Sequence, residues 1–164
     1  MVGNTKPAVQ PGGSGRPATE GFEAAYTRLW PVAVRLARLM TGSSQLAEEI
    51  AQDAFLGIHR NWDRVDNPDG YLRVAVVNGC RDAAQRQARD AARPWERERV
   101  ALPPEMDDTW SVLAELPPRQ RAAIVLRFYE DLPVDEIARL LSCRPGTVKS
   151  SIHRGLARLK ETIR

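Results

Sequence analysis

Residues Leu140 to Lys160 read LLSCRPGTVKSSIHRGLARLK, and with the preceding PVDEIAR, Pro133 to Arg139, they decide how the last part of the chain folds. Ile137, Ala138 and Leu141 share one face of a first helix, and Val148, Ile152, Leu156 and Leu159 share one face of a second. The small Ala138 allows a close crossing, and Pro145 suits a helix's first turn, where its missing N–H leaves no bond unmade. The layout is a helix-turn-helix, whose second helix enters the DNA major groove with its N-terminal residues at base edges. Opposite Val148 and Ile152 lie Lys149, Ser150, His153 and Arg154, a set able to donate to guanine edges and phosphate oxygens. Two positions depart from the usual motif. Ser142 stands where a left-handed backbone favours Gly, and Arg144 stands where a Ser or Thr cap is favoured; each costs roughly 0.5–1 kcal/mol. GTVKS is not a phosphate loop, because the first Gly and the Gly-Lys pair of GxxxxGK[ST] are missing.

Working outward, the charge around this stretch is uneven. The 164-residue chain has a formal net charge of only +3, weak evidence for a polyanionic partner until its distribution is read. From Pro133 to the end, Arg139, Arg144, Lys149, Arg154, Arg158, Lys160 and Arg164 face only Asp135, Glu136 and Glu161. Between Pro94 and Asp108 the sign reverses, with Glu96, Glu98, Glu105, Asp107 and Asp108 against Arg97 and Arg99. The basic end is fitted to nucleic acid and the acidic stretch should avoid it. Cys80 and Cys143 stand apart with no CxxC, and only His59 and His153 accompany them, so neither a disulfide framework nor a zinc site nor any other cofactor is expected. A reduced, cytoplasmic chain is expected. No apolar run approaches a bilayer span, which predicts no membrane insertion. The Gly-, Pro- and Ser-rich leader, residues 1–19, reads as a disordered tail.

The remaining segments are helical in pattern. Phe22, Tyr26, Leu29, Ala33, Leu36 and Met40 mark a helix over Glu20 to Met40, with Pro31 expected to kink it. TGSS, Thr41 to Ser44, is a turn with a Ser cap. Leu46, Ile50, Ala54 and Ile58 then mark a second helix with Glu48 and Glu49 in its first turn. NWDRVDNPDG, Asn61 to Gly70, reads as a structured loop, and a third helix follows over Tyr71 to Arg93 with Leu72, Ala75, Val76 and Cys80 facing a core and Gly79 as a weak point. Pro94 ends it. Trp110 to Leu116, Pro118 to Tyr129 and Val134 to Leu141 are apolar-periodic pieces, and no stretch alternates as a strand would. The expected fold is all-α: two small helical domains, 20–93 and 109–164, joined by a flexible acidic linker over 94–108, with the helix-turn-helix in the second.

Two further motifs narrow the function. AEEIAQDAFLGIHRNWDRVDNPDGYLRVAVVNGCRDAAQR, Ala47 to Arg86, resembles the second conserved domain of bacterial RNA polymerase sigma factors, and Leu113 to Lys160, which opens LAELPPRQR, resembles their fourth. Asp53-Ala54-Phe55 with Leu46 and Ile50 is similar to the clamp-binding helix. With no segment between the two domains for those that larger sigma factors carry, the architecture resembles the extracytoplasmic-function (ECF) subfamily. The resemblance implies core RNA polymerase, promoter DNA and an anti-sigma factor as partners, and no enzymatic activity. It implies polymerase binding through Glu49, Ile50, Gln52, Asp53 and Phe55. It implies recognition and melting of the -10 element by Trp62, Asn67, Tyr71, Arg73, Asn78 and Arg81, and recognition of the -35 element by Arg144, Thr147, Lys149, Ser150, His153 and Arg154. The chemistry agrees: an exposed aromatic replaces lost base stacking at roughly 1–3 kcal/mol per base, and Arg73, Arg81, Arg86 and Arg89 suit phosphates. For each aromatic the alternative is a half-buried core side chain, and for Asp53 an ordinary solvated acid. The competing function is an autonomous helix-turn-helix regulator with an N-terminal dimerisation or ligand module.

Overall fold

The structure is a computed structural model that describes residues 20–90 and 110–163. The expected tail over 1–19 and linker over 94–108 lie outside the described residues, as does the end of the third helix at Pro94. Within them every regular element is helical.

The first unit is built on α1 (Phe22–Thr41), α2 (Ser44–Arg60) and α3 (Pro68–Asp90), each packed on the other two. The first helix runs as one element through Pro31, which lies on the exposed face, while Leu29, Ala33, Leu36 and Met40 are buried. It stops at Gly42, whose φ of 73° is left-handed and whose N–H donates to the Arg38 carbonyl at 2.8 Å. Ser43 then caps α2, its Oγ accepting from Leu46 N–H at 3.1 Å. Because α2 starts at Ser44, Glu48 and Glu49 fall beyond its first turn, correcting their expected place beside the unpaired N–H groups.

Asn61 to Gly70 is less of a loop than its turn formers predict. Trp62–Arg64 form one 3₁₀ turn, and α3 begins at Pro68, three residues before the expected Tyr71. Asn67 explains the early start: its Oδ1 accepts from Gly70 N–H at 3.0 Å, capping a helix whose first position holds a proline. Gly79 marks a close approach of α2 and α3, since a Cβ there would lie 2.8 Å from Ile50 Cγ2. At the open ends of these helices, Arg28 on α1 donates to Glu20 and to Asp69 in the first turn of α3, and both carboxylates raise its affinity for its proton.

The second unit has a helical turn at 110–114, then α4 (Pro118–Ile124), α5 (Val134–Leu140) and α6 (Pro145–Thr162). The fourth helix widens into a π-turn, Val125–Tyr129, closed by Glu130 N–H donating to Val125 O at 3.1 Å. Asp131 has a left-handed φ of 52° just beyond it. The turn between α5 and α6 has the Schellman pattern, with Cys143 N–H on Ala138 O at 3.0 Å and Ser142 N–H on Arg139 O at 3.2 Å. Ser142 holds the left-handed position at φ 50°, and Arg144 caps α6 with its backbone only, as both departures in the motif imply. Ile137, Ala138, Leu141 and Val148 are buried as expected. Leu156 is not; it is 37% exposed, and Ser151 and Gly155 take the inner face instead. Gly155 lies close against α4: a Cβ there would meet the terminal Cδ1 of Ile124 at 2.5 Å.

The two units share one apolar cluster. The Trp110 ring covers the space a Cβ would need at Gly42. Arg121 lies 4.7 Å beneath that ring and donates to Leu116 O at 3.0 Å and, across the boundary, to Met40 O at 3.1 Å. Its guanidinium is desolvated there, which lowers its pKa.

Candidate polymerase and nucleic-acid interfaces

The α2 helix sorts its motif by angle. At 3.6 residues per turn, Glu49, Gln52, Asp53, Leu56 and Arg60 fall within an arc of roughly 100°. All five are exposed, Leu56 by 52%. Ile50 and Phe55 turn the other way and are buried at 7% and 4% exposure. Phe55 meets Tyr26 edge-on at 4.8 Å and Trp30 at 5.8 Å. Glu49, Gln52 and Asp53 thus lie on the outer face of the helix, while Ile50 and Phe55 face the core of the first unit. Leu56 shares that outer face, at i,i+3 and i,i+4 from Asp53 and Gln52.

Around α3 the candidates divide three ways. Asn78 is exposed. Trp62 and Tyr71 are half-buried, Trp62 lying edge-on to Phe22 at 5.5 Å and Tyr71 with its hydroxyl close over Gly57. Asn67 is buried and serves as the α3 cap, so this conformation does not offer it to a base. His59 packs edge-on against Phe22 at 4.8 Å. Arg73 and Arg81 are engaged by the second unit: Arg73 Nε donates to Glu130 Oε2 at 2.8 Å and its Nη1 lies 3.9 Å from Glu136 Oε1, while Arg81 Nη1 donates to Leu140 O at 3.1 Å and Ser142 Oγ at 3.3 Å. No local pattern pairs residues so far apart in the chain. Arg86 and Arg89 are exposed.

The third face is on α6. Lys149, Ser150, His153 and Arg154 are all exposed on the side away from Val148, Ser151 and Gly155, with Arg144 exposed and Thr147 half-buried at the helix start. The structure therefore brings together all six of the residues read from the motif. Burial pushes the Cys80 thiol up to about 12, the behaviour of an inert core cysteine.

An all-helical pair of units, one ending in a helix-turn-helix with a polar, cationic outer face, defines a DNA-binding transcription protein. Comparison with known proteins narrows the class. The sigma-70 region 2 family matches residues 25–90, and the sigma-70 region 4 family matches residues 107–159. The chain is 32% identical over 145 residues to the RNA polymerase sigma-E factor of Streptomyces coelicolor, covering 79% of this chain and 78% of that one. It is 35% identical over 150 residues to the ECF RNA polymerase sigma factor SigM of Mycobacterium tuberculosis, covering 87% and 76%. Among solved structures, the sigma factor RpoE of Bartonella quintana, in complex with the anti-sigma factor NepR, shares the fold at a TM-score of 0.72 and 22% identity, with 87% of this chain and 96% of that one covered. The chain belongs to the ECF group of sigma-70 RNA polymerase sigma factors. It is an initiation factor that binds core RNA polymerase and directs promoter-specific transcription, and it is not an enzyme. The autonomous-regulator alternative gives way to the region 2 match, because the N-terminal half is a sigma domain. No helix among the described residues is long and apolar enough to cross a membrane.

Proposed function

We propose that 20–93 acts as region 2 and 109–164 as region 4, with the tail over 1–19 and the linker over 94–108 outside them, and that three faces divide the work. Glu49, Gln52, Asp53 and Leu56 dock on the polymerase clamp, with Ile50 and Phe55 holding that helix from inside. Asn78, Arg73 and Arg81, with Trp62 and Tyr71 beside them, meet the -10 element and favour its melting. Arg144, Thr147, Lys149, Ser150, His153 and Arg154 read the -35 element. The protein works in the cytoplasm, where core polymerase and the promoter are, and an anti-sigma factor that covers these faces completes its partners.

The observation that carries the assignment is the exposure of Lys149, Ser150, His153 and Arg154 together on one side of the second helix of the helix-turn-helix, over a fully buried Val148. A helix so placed presents donors to base edges and its first turn to phosphates. The -10 assignment is tested in the assembled holoenzyme with Asn78→Ala. Polymerase binding should persist while permanganate reactivity of the -10 thymines falls, because only an unstacked strand needs that amide. Unchanged reactivity would place the melting pocket elsewhere.

A further inference from the structure

We infer that Arg28 is a positioning residue for promoter opening: held between Glu20 and Asp69, its guanidinium fixes the first turn of α3 against α1 and so sets the Asn61 to Gly70 loop for an unstacked -10 base. The inference rests on the reading of α3 and Trp62 as the -10 face. It adds to that face a residue that acts through others. Arg28 Nη1 donates to Asp69 Oδ1 at 2.9 Å and Nη2 to Asp69 Oδ2 at 3.1 Å, a paired bond to a residue 41 positions away. Nε and Nη2 donate to Glu20 Oε1 and Oε2, both at 3.0 Å. One planar cation thus grips two carboxylates, and Glu20, with its side chain only 11% exposed, aims it.

Two features tie this grip to the -10 face. The loop is held by α1 on both sides: Phe22 meets Trp62 edge-on at 5.5 Å where the loop begins, and Arg28 holds Asp69 where it ends. Between them Val65, Asn67 and Pro68 are buried, while Asp63, Arg64 and Asp66 face outward. Burial keeps the loop in place but sets no direction, because the hydrophobic effect is non-directional; paired bonds to a planar guanidinium fix both distance and angle. Second, Tyr71 and Arg73 lie within about one turn of Asp69, so the angle of that turn is the angle at which their side chains leave the helix. Asn67 acts on the same turn, its Oδ1 accepting from Gly70 N–H. The grip itself is on the surface, with the Arg28 and Asp69 side chains 44% and 43% exposed, where an ion pair contributes little to overall stability. Its effect is therefore on the geometry of the loop and the α3 start.

The test uses the full chain assembled with core polymerase. Arg28→Met keeps the aliphatic stem and removes the fork. Arg28→Lys keeps the charge, but a single ammonium cannot hold two carboxylates in paired bonds. Arg35→Met, exposed on the same helix, is the control. Opening is read by permanganate reactivity of the -10 thymines, and base preference by the same reactivity on single-base variants of the -10 element. An exposed ion pair shifts an equilibrium by at most about five-fold, and opening falls with the fraction of loops in the competent shape. Arg28→Met should therefore lower reactivity on the preferred sequence about three- to five-fold and narrow its lead over the single-base variants, because a displaced loop loses contacts that only the correct base makes. Polymerase affinity and the unfolding midpoint should match those of the control. Arg28→Lys should stay close to Arg28→Met, and Asp69→Asn should reproduce the narrowed preference. Full activity of Arg28→Lys would reduce Arg28 to a plain counter-charge and overturn the inference. So would a loss equal across all -10 variants, or one that follows polymerase affinity or the unfolding midpoint. Normal opening and preference by Arg28→Met, where Asn78→Ala impairs opening, would overturn the tie alone; if neither variant alters opening, the α3 reading falls with it.

Discussion

At the scale of single residues, position on α2 separates chemistry from packing. Asp53 and Phe55 belong to one sequence motif, yet Asp53 is exposed and Phe55 is 4% exposed against Tyr26 and Trp30. Asp53→Ala should keep the helical circular dichroism and weaken competition for core polymerase. Phe55→Ala should instead lower unfolding free energy by about 3–5 kcal/mol through an unfilled core. Equal losses of polymerase affinity at unchanged stability would reverse that division. The motif was legible in sequence, but its split between inner and outer faces needed the helical angle, which also brings Leu56 onto the outer face. Cys80 gives a pH prediction. Burial raises its thiol from 9.0 to about 12, so the folded chain keeps a proton that the unfolded chain releases. Its contribution is intact below pH 9 and is lost as pH rises from there toward 12; Cys80→Ala should flatten that part of a urea-midpoint profile against pH. A profile unchanged by the substitution would mean the thiol is less enclosed in solution.

At the scale of elements, the helices were legible from periodicity and their ends from caps, except where a cap was hidden in a run of turn formers. Asn67-Pro68 is such a case: Asn-Pro reads as a turn, but the same pair also makes a cap followed by the one helical position that tolerates proline. Leu156 shows the opposite case, because periodicity favours the leucine for the inner face while the structure buries Gly155 there, close against Ile124 of α4. Two substitutions at close or strained points have opposite expected signs. Ser142→Gly relieves a left-handed φ of 50° and should stabilise the chain by roughly 0.5–1 kcal/mol, read as a raised melting temperature. A fall would mean that the Arg81 contact to Ser142 Oγ outweighs the backbone. Gly79→Ala adds helix propensity of about 1 kcal/mol, but its Cβ meets the buried, branched Ile50 Cγ2 at 2.8 Å. Overpacking costs about 1–3 kcal/mol, so a net loss is expected in the urea midpoint.

At the scale of the whole molecule, the two units and their order were legible, while their mutual packing was not: Arg73 with Glu130, and Arg121 with Met40, join residues that no periodic or cap pattern relates. What the assembled protein must do is read two promoter elements at once, and the α6 face can be separated from mere basic charge. Lys160 provides the comparison. It is exposed and lies on nearly the same side of α6 as Lys149, three turns farther along, about 16 Å at 1.5 Å per residue. In a helix-turn-helix the N-terminal part of the second helix reaches the bases, so a cation three turns on meets phosphate at most. Losing a base-edge donor costs about 1–3 kcal/mol and blurs preference at one position, whereas losing a phosphate contact weakens every sequence alike and lowers the salt slope by about one. Holoenzymes carrying Lys149→Ala, Arg154→Ala or Lys160→Ala should be measured on single-base variants of the -35 element at two salt concentrations. The first two should change which base is preferred, and Lys160→Ala should not. A uniform loss across all bases for both Lys149→Ala and Arg154→Ala would make this face a phosphate anchor and move sequence reading to the Arg144 and Thr147 end of the helix.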